Sequence, residues 1–256
     1  MRNIWTLAVT VIRDTARKKI FYVVLLFGLS IISISPLIPT FELGSQARFL
    51  RDISLSLTSL FGVILAVILS INQVPGDVGK RTIYNLLSKP VSRLQYLVGK
   101  YLGILMTLAI ILFVMGLEIL VLIYARLQVF SPVIFQGVFA VFLESAIIAA
   151  FCLGLSTFVT VPVNAFATIL FYMLCHVKTG FLHAKLIDEA SGGLVKIASW
   201  TFYYVIPNLE NFNLSEQVGY AGGVSWTFLA RISGYALLFA VLFLIIGHLV
   251  FRVKDL

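Results

Sequence analysis

The stretch RTIYNLLSKPVSR, residues 81–93, is basic and broken by proline inside a chain that is otherwise greasy. Ile83, Leu86 and Leu87 fall at i, i+3 and i+4, so a short helix would present all three on one face. Pro90 disfavours helix in the residue before it and stops that helix near Ser88. Ser92 then reads as an N-cap. Gln95 three residues on completes a capping box, and Val91 and Tyr96 stand at the two positions of a hydrophobic staple. The pattern predicts a short helix, a stiff proline turn, and a second helix running through Lys100 into an apolar span. Gly99 and Gly103 would let another helix approach that span closely.

Outward from this segment, the 256 residues are 60% hydrophobic and 12% charged, whereas soluble domains are about 45–50% apolar and ~25% charged. The chain therefore reads as an integral membrane protein. The formal net charge is +8, but the basic residues gather at the ends of apolar runs rather than over a polar surface. That is a membrane pattern and argues against nucleic acid as a partner. Cys152 and Cys175 lie inside apolar runs and read as small packing residues, with no metal-binding spacing. The first apolar run begins at Ile20 with no small-residue cleavage site after it, and reads as a retained anchor.

A helix needs about 20 apolar residues to cross a bilayer core of ~30 Å. Gaps between charges give runs at 20–41, 53–76, 101–125 (interrupted only by Glu118), 127–177 (only by Glu144) and one between Arg231 and Arg252. The fourth is too long for one crossing, and Pro162 in TVPVN, 160–164, divides it into about 132–159 and 162–178. The expectation is an all-α membrane protein of six transmembrane helices in a single domain, 1–256. Basic residues crowd the first 19 positions, the loop 75–100 and the tail. The positive-inside bias therefore puts both termini and that loop in the cytoplasm and the loop 178–231 outside.

Within the outer loop, LVKIASWTFYYV, 194–205, reads as interfacial or re-entrant; if it crossed instead, the count would be seven and the tail would lie outside. His176, His183 and Asp188 fit no zinc motif and read as surface residues. At the N-terminus, Ile4, Leu7, Ala8 and Val11 share one helical face, while Arg2, Thr6, Thr10, Arg13 and Arg17 fall on the other. Residues 1–19 therefore read as an amphipathic helix on the inner membrane surface, in contact with lipid.

A charge in the bilayer costs at least ~2.5–3.5 kcal/mol and usually faces protein or a watery cavity. Glu118, two turns before Arg126, is expected near the outer surface, either as an exposed or paired interface carboxylate or as a pathway or helix-interface residue. Glu144 is expected near mid-membrane, where it either faces a translocation path or partner subunit or is a protonated carboxyl bonded between helices.

The segment resembles the signature region of the ABC-2-type permeases, the membrane subunits of one class of ATP-driven transporters. Asp77, Thr82, Leu86, Leu87, Ser88, Pro90, Val91, Ser92, Arg93, Gly99 and Lys100 match the family's acidic residue, Thr, Leu pair, Ser-x-Pro-Val-Ser-Arg and Gly-Lys. The six-span layout, amphipathic start and large loop before the last span match as well. Arg81 departs from the family pattern, where Gly often precedes the Thr.

The resemblance implies a cytoplasmic coupling helix between spans two and three that packs into a cleft on an ABC ATPase subunit. Ile83, Leu86 and Leu87 would fill the cleft, flanked by Asp77, Arg81, Thr82, Pro90, Ser92 and Arg93. It also implies residence in the cell membrane, a tendency to export, and a homodimer or heterodimer with a second permease. The chain has no G-x-x-x-x-G-K-[ST] loop, so ATP and Mg would be bound by the ATPase and no cofactor by this chain. With no H-E-x-x-H and no paired Asp, a non-catalytic subunit is expected. The alternatives are a membrane subunit used for sensing or assembly, or a stand-alone channel or carrier.

Overall fold

The computed structural model describes residues 2–16, 46–79, 92–128, 130–187, 206–214 and 223–253, with isolated positions between 22 and 34. The described elements are helical: α1 (Arg2–Ala16), α2 (Gln46–Ile71), α3 (Gln73–Gly79), α4 (Arg93–Leu127), α5 (Ile134–Leu155), α6 (Val161–Ile187), a 3₁₀ turn (Leu209–Phe212) and α7 (Trp226–Val253). In hydrocarbon every backbone N–H and C=O must be satisfied within its own segment, which the α-helix does.

Among the described residues, four helical segments are long and apolar enough to span: Phe49–Gly79, Arg93–Arg126, Ile134–Leu155 and Trp226–Val253. In α6 the apolar part, Val161–His176, is shorter. Most of the first apolar run, 20–41, lies outside the described residues. Of its described positions, Gly28 packs against Met115 and Phe61, and Ser33 donates to Glu118. Exposed Ile110, Phe113, Val121, Leu237, Leu238 and Ile245 give α4 and α7 broad apolar faces. Faces of that extent suit lipid rather than water. The chain is an integral membrane protein.

The central helix is α5. Of its apolar window 78% is buried, against 33–56% for the other three spans, and it packs on α2, α4, α6 and α7. Small residues set the closest approaches. A Cβ on Gly247 would stand 2.7 Å from the Cα of Gly154, so α5 and α7 touch backbone to backbone. Beside that contact the rings of Phe151 and Phe171 stack at 3.9 Å, and Phe243 meets both edge-on.

The amphipathic α1 buries Leu7, Ala8, Val11 and Thr15 and exposes Thr6, Thr10 and Arg13. Gly103 of α4 receives it: a Cβ there would stand 2.8 Å from the Ala8 carbonyl oxygen. The close approach expected at Gly103 is made by this N-terminal helix.

The break between α5 and α6 falls where Pro162 places it. Pro162 sits in the first turn of α6, where its missing N–H costs nothing. Asn164 Nδ2 donates to the Cys152 carbonyl at 3.0 Å and Thr168 Oγ1 donates to Asn164 Oδ1, lacing α6 onto α5. Past its apolar part, α6 continues beyond Lys178 to Ile187, and α7 begins at Trp226, where Ser225 Oγ accepts from Phe228 N–H. The connection between α6 and α7 is therefore shorter than the charge spacing implies, because charged residues end an apolar run without ending a helix. The run 194–205 lies outside the described residues.

Candidate functional site

Two polar constellations stand inside the apolar bundle. The first joins α3, α4 and the end of α7. Lys100 is buried, its side chain 4% exposed, and its Nζ lies 2.8 Å from Asp77 Oδ2. Tyr96 Oη donates to the same oxygen at 2.7 Å, and Lys100 Nζ donates to Gln73 Oε1 at 3.2 Å. Gln73 in turn donates to the Leu69 carbonyl. A lysine this buried is tolerated only when paired and hydrogen-bonded, and here both conditions hold.

Two turns earlier, the Arg93 guanidinium donates to the carbonyls of Phe251 and Arg252. These belong to the last turn of α7, whose carbonyls have no partner within the helix. The guanidinium also lies over the Phe251 ring, which stacks on Tyr96. Position 93 thus fastens the start of α4 to the end of α7, while Asp77 fastens α3 to α4.

Ser92 caps α4 as its spacing predicts. Its Oγ accepts from Gln95 N–H and its own N–H donates to Gln95 Oε1, both at 3.2 Å. Replacing Ser92 with alanine should lower stability by about 1 kcal/mol, read as a shift in the unfolding midpoint of the purified protein. Val91, and with it the staple, lies outside the described residues.

Of the nine residues expected to couple to an ATPase, Asp77, Ser92 and Arg93 are described, and each is engaged within the chain. Arg81, Thr82, Ile83, Leu86, Leu87 and Pro90 lie outside the described residues. The clamp brackets them: Asp77 stands before them, and Arg93, Tyr96 and Lys100 after. No local sequence signal marks Gln73, and the staple position of Tyr96 does not reveal its bond to Asp77, because these partners lie on other helices.

The second constellation surrounds Glu144, halfway along α5 and 2% exposed. Ser59 of α2 donates to its Oε2 at 2.8 Å. His176 of α6 places Nε2 3.4 Å from Oε1, yet among the described residues no hydrogen bond of good geometry reaches that oxygen. A cavity of about 260 Å³ opens here, lined by Ser56, Ser59, Glu144, Tyr172, His176 and Asn213. Its lid is the segment around the 3₁₀ turn, which buries Leu209, Phe212 and Leu214.

The placement of His176 corrects the expectation of a surface histidine. Its side chain is 28% exposed and turned towards Glu144, because α6 leans on α5 up to that level. His183 and Asp188 lie outside the residues whose side chains are described. Glu118 pairs with Ser33 at 2.7 Å and stays apart from Glu144.

A family model described as ABC-2 family transporter protein matches residues 12–256. No curated protein matches the chain.

Proposed function

The chain belongs to the ABC-2 family of transporter proteins, and on that premise we propose that it is the permease subunit of an ATP-driven exporter. The family normally pairs with an ABC ATPase subunit. In our reading that separate subunit binds ATP and Mg, and this chain contributes no catalytic group. The permease crosses the cell membrane six times, with both termini and residues 80–92 in the cytoplasm, and works beside a second permease copy.

The observation that carries the proposal is the clamp. A loop meant to transmit force must be anchored where it meets the membrane helices, or the motion is lost in slack. Segment 80–91 is anchored at both ends: Asp77 ties α3 to Lys100 and Tyr96, and Arg93 ties the start of α4 to α7. Ile83, Leu86 and Leu87 fill a cleft on the ATPase, each worth about 1.5–3 kcal/mol when buried, and motion of the ATPase tilts α4.

Leu86→Glu tests this. It should reduce ATPase co-purification at least tenfold while leaving the permease in the membrane. Unchanged co-purification with unchanged ATP turnover would remove the proposal.

A further inference from the structure

The Glu144 cavity holds a hydrogen-bonding puzzle whose solution points to a ligand. His176 Nδ1 lies 3.2 Å from the Tyr172 carbonyl oxygen. That oxygen only accepts, so Nδ1 carries the hydrogen. In the neutral ring this leaves a lone pair on Nε2, facing a carboxylate oxygen 3.4 Å away. Two lone pairs would then oppose each other in a buried place. One proton between them, on Nε2 or on Oε1, relieves the contact. A single proton shared by Glu144 and His176 would satisfy both atoms and leave the pair neutral.

The surroundings are built to replace that proton with another positive charge. Oε2 is held by Ser59, while Oε1 is buried and, among the described residues, faces no donor but His176. The Tyr172 and Phe212 rings and the Ser56 and Asn213 side chains supply aromatic and polar walls of the kind that receive an ammonium group. Among the described residues, no lysine or arginine lines the cavity. The titratable groups facing Glu144 are Tyr172 and His176 from α6 and Glu210, which lies within electrostatic reach from the 3₁₀ turn. From α2 the facing groups are the hydroxyls of Ser56 and Ser59. Once the shared proton leaves, every remaining formal charge at the cavity is negative.

We propose that this cavity binds a small organic monocation, an ammonium group, in exchange for the proton shared by Glu144 and His176. The bond that breaks joins that proton to Nε2 or Oε1. The proton passes to water and the cation's charge takes its place beside the carboxylate. The inference rests on the permease reading and adds to it the chemical class of the cargo.

Calorimetric titration of the purified full chain with methylammonium, choline and tetraethylammonium tests it, with 3,3-dimethylbutan-1-ol as choline's neutral isostere. At least one cation should bind, and the alcohol at least tenfold more weakly. Release of one proton makes affinity rise with pH, by up to about tenfold per unit while the pair is protonated. Glu144→Gln should lose binding at least tenfold. Its amide can still accept from Ser59 and donate to the His176 lone pair, so the fold is kept. Ser56→Lys, at an exposed position, tethers an ammonium in the cavity and should compete binding away to the same degree.

No binding by any of the three cations would overturn the proposal. So would equal binding of the alcohol, affinity flat between pH 5.5 and 8.5, or undiminished binding in both variants. These results are separable from the permease reading. Absent cation binding with intact ATPase co-purification removes this inference alone. Absent co-purification removes the transporter reading whatever the titrations show.

Discussion

Asp77→Ala is expected to destabilise the protein by about 3–5 kcal/mol, the usual cost of breaking a buried ion pair from one side. The reason is what stays behind. The Lys100 ammonium has a side chain 4% exposed and, among the described residues, keeps only Gln73 Oε1 as a bonded acceptor. Tyr96 Oη loses its short bond to Asp77 as well. The double change Asp77→Leu with Lys100→Met should recover most of the loss, since an apolar pair of similar volume often replaces a buried ion pair without penalty. Asp77→Asn should fall between, because the amide oxygen can still accept from Tyr96 but carries no charge. Thermal unfolding in one detergent reads all three. Wild-type stability in Asp77→Ala would mean that Lys100 reaches water and that the clamp is not closed.

Gly247→Leu is expected to separate α5 from α7 and cost at least about 3 kcal/mol, at the upper end of overpacking penalties. The obstacle is backbone. The new Cβ would stand 2.7 Å from the Cα of Gly154 and 3.4 Å from its carbonyl oxygen. A side chain could rotate aside, whereas a helix backbone must shift as a body. That shift would also strain the Phe151–Phe171–Phe243 cluster and the contact of Thr157 Oγ1 with the Gly247 carbonyl. Gly234 lies on the same helix with open space around it, so Gly234→Leu should melt within about 0.5 kcal/mol of the parent. Equal melting of the two leucine variants would contradict the close contact.

Features governed by local spacing are legible in the sequence. The faces of α1 follow from the period of Leu7, Ala8 and Val11. The break before α6 follows from Pro162, and the cap of α4 from the spacing of Ser92 and Gln95. Each depends on residues within a turn or two of one another. The two polar constellations are only half legible. Asp77, Lys100 and Glu144 stand out as charges bordering or interrupting apolar runs, but their partners lie far along the chain. His176 is 32 positions from Glu144 and Ser59 is 85 in the other direction, so their meeting depends on the register in which helices pack. Gly154 and Gly247 carry no signal for the same reason, since a small residue is informative only once its opposite number is known.

Charge spacing misplaces the ends of α6 and α7, because a charge does not by itself end a helix. It ends the part that sits comfortably in lipid, while backbone hydrogen bonding carries α6 on to Ile187. The cavity beside Glu144 and the clamp around Asp77 are at different levels of the bundle, yet α2 with α3 and α4 with α5 connect them through continuous packing. Tilting of α4 by a partner at segment 80–92 would therefore reach α5, the helix that carries Glu144.

A permease driven in this way must present segment 80–92 to the compartment that holds the ATPase. Lys89→Cys labelled with a membrane-impermeant maleimide tests that directly, because Cys152 and Cys175 are both buried and give little background. Labelling is expected in inside-out vesicles, with protection when the ATPase is bound, and none in intact cells. Labelling of the introduced thiol from outside intact cells would contradict it.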